Sequence, residues 1–119
     1  MDKFLKYAVL QYAPISRKVE KIVLGVLFHE EEIDHREFRH IDDFSRLAQF
    51  DDALDLKMIE KLLRGIKDEV ESDEFKHKSF DIDEYTRFYI NDYYFEDTKY
   101  VRYDTLDGMI EEIAKVCLI

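Results

Sequence analysis

Two apolar stretches near the start of the chain, separated by a polar break, dominate its pattern of hydrophobic and polar positions. The first runs from Tyr7 to Tyr12 and the second from Ile22 to Phe28, where every position except Gly25 is apolar. Short runs rich in β-branched and aromatic residues predict two paired strands joined by a loop. Because the second strand is apolar on both faces, we expect it to be covered on both sides and to lie centrally. A third strand is predicted at residues 37–41.

The clearest helix is predicted between Leu54 and Val70, where apolar residues recur every three or four positions. Three aspartates precede or begin this segment and can cap it, namely Asp51, Asp52 and Asp55. Gly65 interrupts the pattern and costs roughly 1 kcal/mol of helix propensity relative to alanine. We therefore expect another part of the fold to pack closely against Gly65.

The second half of the chain gives weaker signals until its last element. Residues 71–79 are polar and predict a loop, whereas residues 81–91 fit a helix and a strand equally well. The aromatic segment 93–103 contains a predicted strand. A final amphipathic helix is predicted from about Thr105 to Cys117, with Asp104 as its N-cap.

This order of elements predicts an α+β fold: a small, mostly antiparallel sheet with helices packed on one face. Hydrophobic residues make up 46% of the 119 positions, with three glycines and one proline, so a packed core is expected and long flexible linkers are not. We see no repeat and no change of composition that would mark a domain boundary. A single domain spanning residues 1–119 is therefore predicted.

Charge and cysteine usage restrict the classes of partner. The net charge is −10, with −7 in residues 29–60, −6 in residues 68–84 and +3 in residues 1–21. An acidic surface repels phosphate backbones, so we expect no direct nucleic-acid binding and favour a basic protein partner. Cys117 is the only cysteine, and no signal peptide or membrane-spanning run is evident. These features predict a cytoplasmic protein without membrane contact.

The start of the chain resembles a known bacterial family. The residues that carry the resemblance are Tyr7, Leu10, Tyr12, Pro14, Glu20, Leu24-Gly25-Val26-Leu27-Phe28 and Phe44-Ser45-Arg46-Leu47. This pattern is similar to that of domain-of-unknown-function family three-zero-three-seven, whose members usually have an asparagine before the Val-Gly-Val strand. Leu24 lies before Gly25 in this chain. The family has no assigned chemistry, but its genes often neighbour those of HipA-like kinases, which implies a partner or regulator of such a kinase.

Three polar residues stand out from this resemblance: Arg17, Glu20 and Arg46. A buried Glu20–Arg46 ion pair would hold the sheet against the short segment around Arg46. Breaking such a pair costs roughly 3–5 kcal/mol whether or not the pair has a function. The structural interpretation is the favoured one, and a functional role stays open.

A cluster of metal-ligating residue types occupies positions 29–43, which contain three histidines and several carboxylates. If this segment forms a hairpin, His29 and His40 could approach each other across it. No spacing here matches a known zinc or calcium motif. A charged turn that protects the sheet from aggregation is the favoured interpretation, and no metal site is predicted.

Six of the eight tyrosines lie between Tyr85 and Tyr103, interleaved with three bases and three acids. Tyrosine and arginine are enriched at interface hot spots because they bury a large area while keeping a polar end. Stacking of nucleobases would require a basic groove. A half-buried sheet surface and a protein interface fit this segment equally well. The predicted partner-binding residues are Arg87, Tyr89, Tyr93, Tyr94, Tyr100, Arg102 and Tyr103.

No phosphate loop, nucleophile elbow or Cys/His pair is present, so we predict no catalytic residue and no cofactor. The leading hypothesis is a non-enzymatic protein-binding module that regulates a partner, with a HipA-like kinase as one candidate. The alternative is an acidic inhibitor that mimics DNA on a basic enzyme, as phage anti-defence proteins do. A third hypothesis, a small enzyme or metal protein using residues 29–43, has little support.

Overall fold

The computed structural model describes residues 3–13, 21–50, 55–72, 80–87 and 93–118. Within these ranges the chain forms one five-stranded sheet. The strands are β1 (Phe4–Tyr12), β2 (Ile22–Glu30), β3 (His35–His40), β4 (Tyr93–Phe95) and β5 (Lys99–Arg102). All of their pairings are antiparallel. The predicted pairing of the two N-terminal strands and the third strand near residues 37–41 are confirmed.

The strand order is β3-β2-β1-β4, and β5 also pairs with β1. β4 and β5 occupy the same position beside β1, because Phe95 pairs with Leu10 and Lys99 pairs with Tyr7. Three residues, 96–98, therefore lie opposite only two residues of β1. The Glu96 N–H still donates to the Val9 carbonyl at 2.8 Å. This β-bulge divides one edge of the sheet into two short strands.

A second irregularity lies between β1 and β2, where Leu10 pairs with Gly25 and Gln11 with Val23. Leu24 is the extra residue. A Cβ atom on Gly25 would lie 2.5 Å from Cζ of Phe38 and 2.9 Å from the carbonyl oxygen of Arg39. Glycine is required here because no larger residue fits against β3.

The helices are α1 (Ser45–Phe50), α2 (Leu56–Glu71), α3 (Ile82–Tyr85) and α4 (Leu106–Cys117). Asp55 caps α2, since its side chain accepts a hydrogen bond from the Met58 N–H at 3.1 Å. The prediction of Asp104 as the N-cap of α4 is wrong by one residue. Thr105 has the extended backbone of an N-cap, and its carbonyl accepts the first helical hydrogen bond, from Met109.

The helices lie on both faces of the sheet, each face with its own hydrophobic core. We call the first the α2 face, where α1, α2 and α3 pack; its buried residues include Leu10, Leu24, Leu27, Phe38, Leu47, Ile59 and Leu63. We call the second the α4 face, where α4 packs; its buried residues include Leu5, Val9, Val26, Phe28 and Ile110. The α+β class is confirmed. The cover that we expected on both sides of β2 is found as well, but the helices do not share one face as predicted, because β2 directs large apolar side chains to both sides.

Side chains of α2 bond the outer edge of β3. At the β3 edge, the Phe38 N–H donates to Oε2 of Glu71 at 2.9 Å, and Nζ of Lys67 donates to the Phe38 carbonyl at 3.1 Å. Lys67 and Glu71 also pair with each other at 2.8 Å. Two side chains of α2 thus replace a neighbouring strand.

Among the helices that the structure describes, none combines the length and the apolar character needed to cross a bilayer.

Candidate functional site

A groove between α2, α3 and β4 is a mainly apolar concave surface. Its volume is about 570 Å³, within the range of ligand and peptide pockets. Apolar and aromatic side chains form its walls, and three charged residues form its rim. The lining residues are Lys61, Leu62, Gly65, Ile66, Glu69, Glu84, Tyr85 and Phe95.

The sequence of α2 explains why the groove exists. The helix buries Ile59, Leu63 and Val70 completely against the sheet. Its apolar stripe is wider than this contact requires, so Leu62 and Ile66 remain only half-buried, at the side of the helix. These two residues line the groove because nothing described covers them fully.

Gly65 opens the groove further. Apart from the backbone of α2 itself and the two residues next to Gly65 in the chain, no described residue places an atom within 4 Å of a Cβ built on Gly65, and the residue is exposed. The close packing that we expected against Gly65 is therefore not found in the described part of the chain. A helical glycine with open space above it leaves room for a group that approaches the α2 backbone closely.

Tyr85 supplies the groove's polar group. Burial raises the pKa of Tyr85 well above its usual value, and the neighbouring carboxylate of Glu69 raises it further. The phenol consequently stays protonated at physiological pH, with its hydroxyl 3.4 Å from Oε2 of Glu69. Glu69 and Glu84 outnumber Lys61 at the rim, so the groove is apolar inside and weakly negative outside.

The predicted partner-binding residues do not form one surface. Tyr93 is only 5% exposed in the core of the α2 face, and Tyr103 is only 8% exposed in the core of the α4 face. Tyr94 is half-buried, and its hydroxyl donates to Oε1 of the buried Gln11 at 3.0 Å. These three tyrosines stabilise the fold and present little surface to a partner.

The other predicted partner-binding residues that the structure describes are exposed, but they lie in different parts of the fold. Tyr100 is 63% exposed, and Arg102 is exposed two residues further along β5. Arg87 is exposed beside a different, polar cleft formed by the end of α3 and residues 95–98. Tyr89 lies outside the described residues. Phe4, which sequence reasoning did not single out, is 50% exposed and pairs with Arg102 across the sheet.

The three polar residues taken from the family resemblance cannot be placed against each other. Arg17 and Glu20 lie outside the described residues, and of Arg46 only the backbone, in α1, is described. The Glu20–Arg46 ion pair stays a prediction.

The histidines of residues 29–43 are separated by the strand register. His29 pairs with Arg36, whereas His40 pairs with Gly25, which lies four positions before His29 in β2. The two histidines therefore do not approach each other across the hairpin. Nε2 of His29 instead lies 3.0 Å from Oδ1 of Asp34, the turn residue with a positive φ of 49°. In the described ranges, no three His, Cys, Asp or Glu side chains are grouped so that they could hold a metal ion.

A comparison of the chain with models of known protein families finds a match. The model of a family described as protein of unknown function (DUF3037) matches residues 7–92, which is more than half of the chain. The chain belongs to this family. The matched region runs from Tyr7 within β1 through α3, and hence includes the α2 and α3 walls of the groove. No curated protein and no solved structure matches the chain.

Proposed function

We propose that this DUF3037 protein is a non-enzymatic protein-binding module that regulates a partner protein. The observation that carries the proposal is the open apolar groove between α2, α3 and β4, with Gly65 at its side. Half-buried apolar side chains in a concave surface are typical of sites that take an apolar segment of another protein. The partner would place an apolar side chain against Leu62, Ile66 and Phe95.

The rim of the groove suggests the flanking chemistry of that segment. Glu69 and Glu84 carry two negative charges against the single positive charge of Lys61. A basic residue beside the apolar anchor would meet these carboxylates, and the net charge of −10 would attract such a partner at long range. The Tyr85 hydroxyl, which donates to Glu69, can accept a hydrogen bond from the partner. This chemistry agrees with a basic protein partner; a HipA-like kinase is the candidate that the family resemblance suggests.

A pair of substitutions at Gly65 tests the proposal with little risk to the fold. Gly65→Leu extends a side chain from an open position into the groove, whereas Gly65→Ala adds only one methyl group. Both replacements improve helix propensity, by up to roughly 1 kcal/mol, so neither should unfold α2. We expect a tagged wild-type protein and Gly65→Ala to retain the same stoichiometric partner from native lysate, and Gly65→Leu to lose it.

Two results would contradict the proposal. One is retention of the same partner by Gly65→Leu, which would remove the groove from the interaction. The other is turnover of a nucleotide or an ester by the purified protein alone, which would indicate an enzyme. Thermal unfolding of all three proteins serves as the control for correct folding.

A further inference from the structure

The α2 wall of the groove follows one side of the helix. Lys61 and Glu69 are the first and last α2 residues of this wall, and a stretch of eight helical residues spans about 12 Å. Met58 lies one turn before Leu62 on the same side of α2 and is 44% exposed, so it continues the apolar stripe beyond the groove. An occupant about three helical turns long would cover the whole stripe.

Gly65 lies at the middle of this wall. Lys61, Gly65 and Glu69 are spaced by four residues and therefore form one row on the helix surface. Helices pack by fitting such rows of one helix into the spaces between rows of the other, and a small residue at the contact brings their axes to about 8 Å. Leu62 and Ile66 lie half-buried beside Gly65 and supply apolar contacts on that side. The wall thus has the form of a helix-packing surface.

The hydrogen-bonding groups of the wall favour a helical occupant over an extended one. Between Lys61 and Ile66, the backbone N–H and C=O groups are bonded within the described helix α2. The Tyr85 hydroxyl already donates to Glu69. An extended segment would bury its backbone groups against this wall without backbone partners, whereas a helix pairs its own backbone. The occupant that fits is therefore a helix.

The two ends of the α2 wall differ in charge. Lys61 lies at one end, and the other end is the last turn of α2, which contains Asp68, Glu69 and Glu71 and no base. A helix C-terminus is the negative end of the helix dipole, so carboxylates are unfavourable there. Lys67 pairs with Glu71, and Glu69 lines the groove. A base brought to Glu69 by a partner would offset both the carboxylate charge and the dipole.

We propose that the groove binds an amphipathic helix of a partner protein, which crosses α2 at Gly65. Its apolar residues recur every three or four positions and pack on Met58, Leu62 and Ile66. It carries a basic residue at the Glu69 end and an acidic residue at the Lys61 end. This inference rests on the groove being the partner-binding site, as proposed above, and adds the conformation and the charge order of the bound segment. A second copy of the chain fits less well than a basic partner, because a net charge of −10 opposes self-association.

Selection from a random peptide library tests the proposal without a known partner. The library presents peptides of about sixteen residues, long enough for a stable helix, and is selected in parallel on the full-chain wild-type protein and on Gly65→Leu. We expect the peptides that bind only the wild-type protein to have apolar residues at positions i, i+3 or i+4, and i+7. Strict alternation of apolar and polar residues in these peptides, or the absence of any peptide that depends on Gly65, would overturn the proposal.

A proline scan of the strongest selected peptide tests its bound conformation. Proline at a central polar position should weaken binding by about a hundredfold or more, because it breaks a helix. Alanine at the same position is the control and should change binding less than about threefold. Equal binding of the proline and alanine peptides would show that the bound segment is not helical.

A charge exchange tests the predicted charge order. Glu69→Lys should weaken binding of the selected peptide by about tenfold, and replacing the basic residue of the peptide by Glu should restore it. Asp68→Lys makes the same change of net charge at an exposed neighbour outside the groove lining, and should change binding less than about twofold. Equal weakening by both variants, or no restoration by any exchanged peptide, would contradict a basic residue at Glu69.

Two further results separate this inference from the proposed function. If Gly65→Leu loses the partner from lysate but no helical peptide is selected, the groove remains the binding site and the helical occupant is rejected. Sedimentation of the wild-type protein without peptide should show a monomer. Self-association that Gly65→Leu abolishes would place a second copy in the groove and overturn the proposal.

Discussion

At the scale of single residues, two glycines have opposite roles. Gly25 lies in β2 under the ring of Phe38, where a Cβ atom would come within 2.5 Å of Cζ. Gly65 lies on α2, where a Cβ atom would have no described neighbour within 4 Å apart from the α2 backbone and the two adjoining residues. One glycine is required by packing inside the chain, and the other leaves space that an outside group can use.

We therefore expect opposite effects of the same substitution at these positions. Gly25→Ala should lower the free energy of unfolding by about 1–3 kcal/mol, because β3 must shift to accept the methyl group. Gly65→Ala should raise it by up to about 1 kcal/mol through helix propensity. Urea denaturation of both variants measures the difference. A similar loss of stability at the two positions would contradict this account of Gly65.

Glu37 gives a pH prediction at the same scale. Burial alone would raise the pKa of Glu37, but hydrogen bonds from Arg39 and His35 outweigh burial, and the pKa lies below its ordinary value of 4.5. The folded state thus binds this proton more weakly than the unfolded state. The stabilisation by Glu37 is present above the ordinary pKa and is lost as pH falls through the lowered one.

Glu37→Gln should consequently reduce the free energy of unfolding near neutral pH and leave a shallower loss of stability on acidification. The matched control is Glu112→Gln, which removes a carboxylate at an exposed position of α4. Urea denaturation between about pH 7 and pH 3 compares the variants. An equal effect of the two substitutions at every pH would show that the hydrogen bonds of Glu37 contribute nothing specific.

Local chemistry limits helix caps to a few residues without choosing one. Asp55, which caps α2, is one of three aspartates that the sequence offered, and the cap of α4 lies one residue after the predicted Asp104. The burial of Tyr93 and Tyr103 could not be predicted in the same way. Their orientation depends on the register with β1 and on the bulge at residues 96–98, which no local pattern reveals.

At the scale of elements, α2 both covers the sheet and completes it. Its buried side packs on the sheet, while Lys67 and Glu71 bond the free edge of β3 at Phe38. Without these side chains the edge would present an unpaired N–H and C=O.

Glu71→Ala should make the Phe38 amide exchange faster and lower the free energy of unfolding by about 1 kcal/mol. Glu60→Ala is the matched control, because Glu60 forms an i,i+4 pair with Arg64 away from any strand. Its cost should be only about 0.3–0.5 kcal/mol. Native-state hydrogen exchange measures both effects. An unchanged Phe38 amide in Glu71→Ala would show that α2 does not protect this edge.

The strands and long helices could be predicted because their hydrophobic periods are strong. The side of the sheet on which α4 packs could not be predicted. An amphipathic pattern shows which face of a helix is buried, but not which surface of the protein covers that face. The apolar run of β2 was the available signal: Val26 and Phe28 point to the α4 face, and Leu24 and Leu27 point to the α2 face. A sheet buried on both sides needs helices on both sides.

At the scale of the whole molecule, the acidic charge is distributed among ion pairs. Five carboxylates from four different segments lie beside bases: Glu31 with Lys6, Glu60 with Arg64, Glu71 with Lys67, Glu96 with Lys21, and Glu111 with Arg39. An inhibitor that mimics DNA would use carboxylates that are free to meet a basic surface. That alternative stays a prediction, and the salt dependence of binding separates it from an apolar groove.

A partner held by the groove should remain bound at about 1 M salt, where screening acts over about 3 Å. A partner held by charge mimicry should dissociate steeply as salt rises. The measurement is the amount of partner that the wild-type protein retains at each step of a salt series, after nuclease treatment. Complete loss of the partner at high salt would favour the acidic inhibitor.

Site-specific photo-crosslinking tests the central claim most directly. A photoreactive phenylalanine derivative in place of Lys61 lies at the rim of the groove, and the same residue in place of Lys115 lies on the exposed side of α4. We expect one discrete protein adduct from position 61, absent from position 115 and absent when Gly65→Leu is added. No adduct at position 61, or the same adduct from both positions, would contradict a partner-binding groove between α2, α3 and β4.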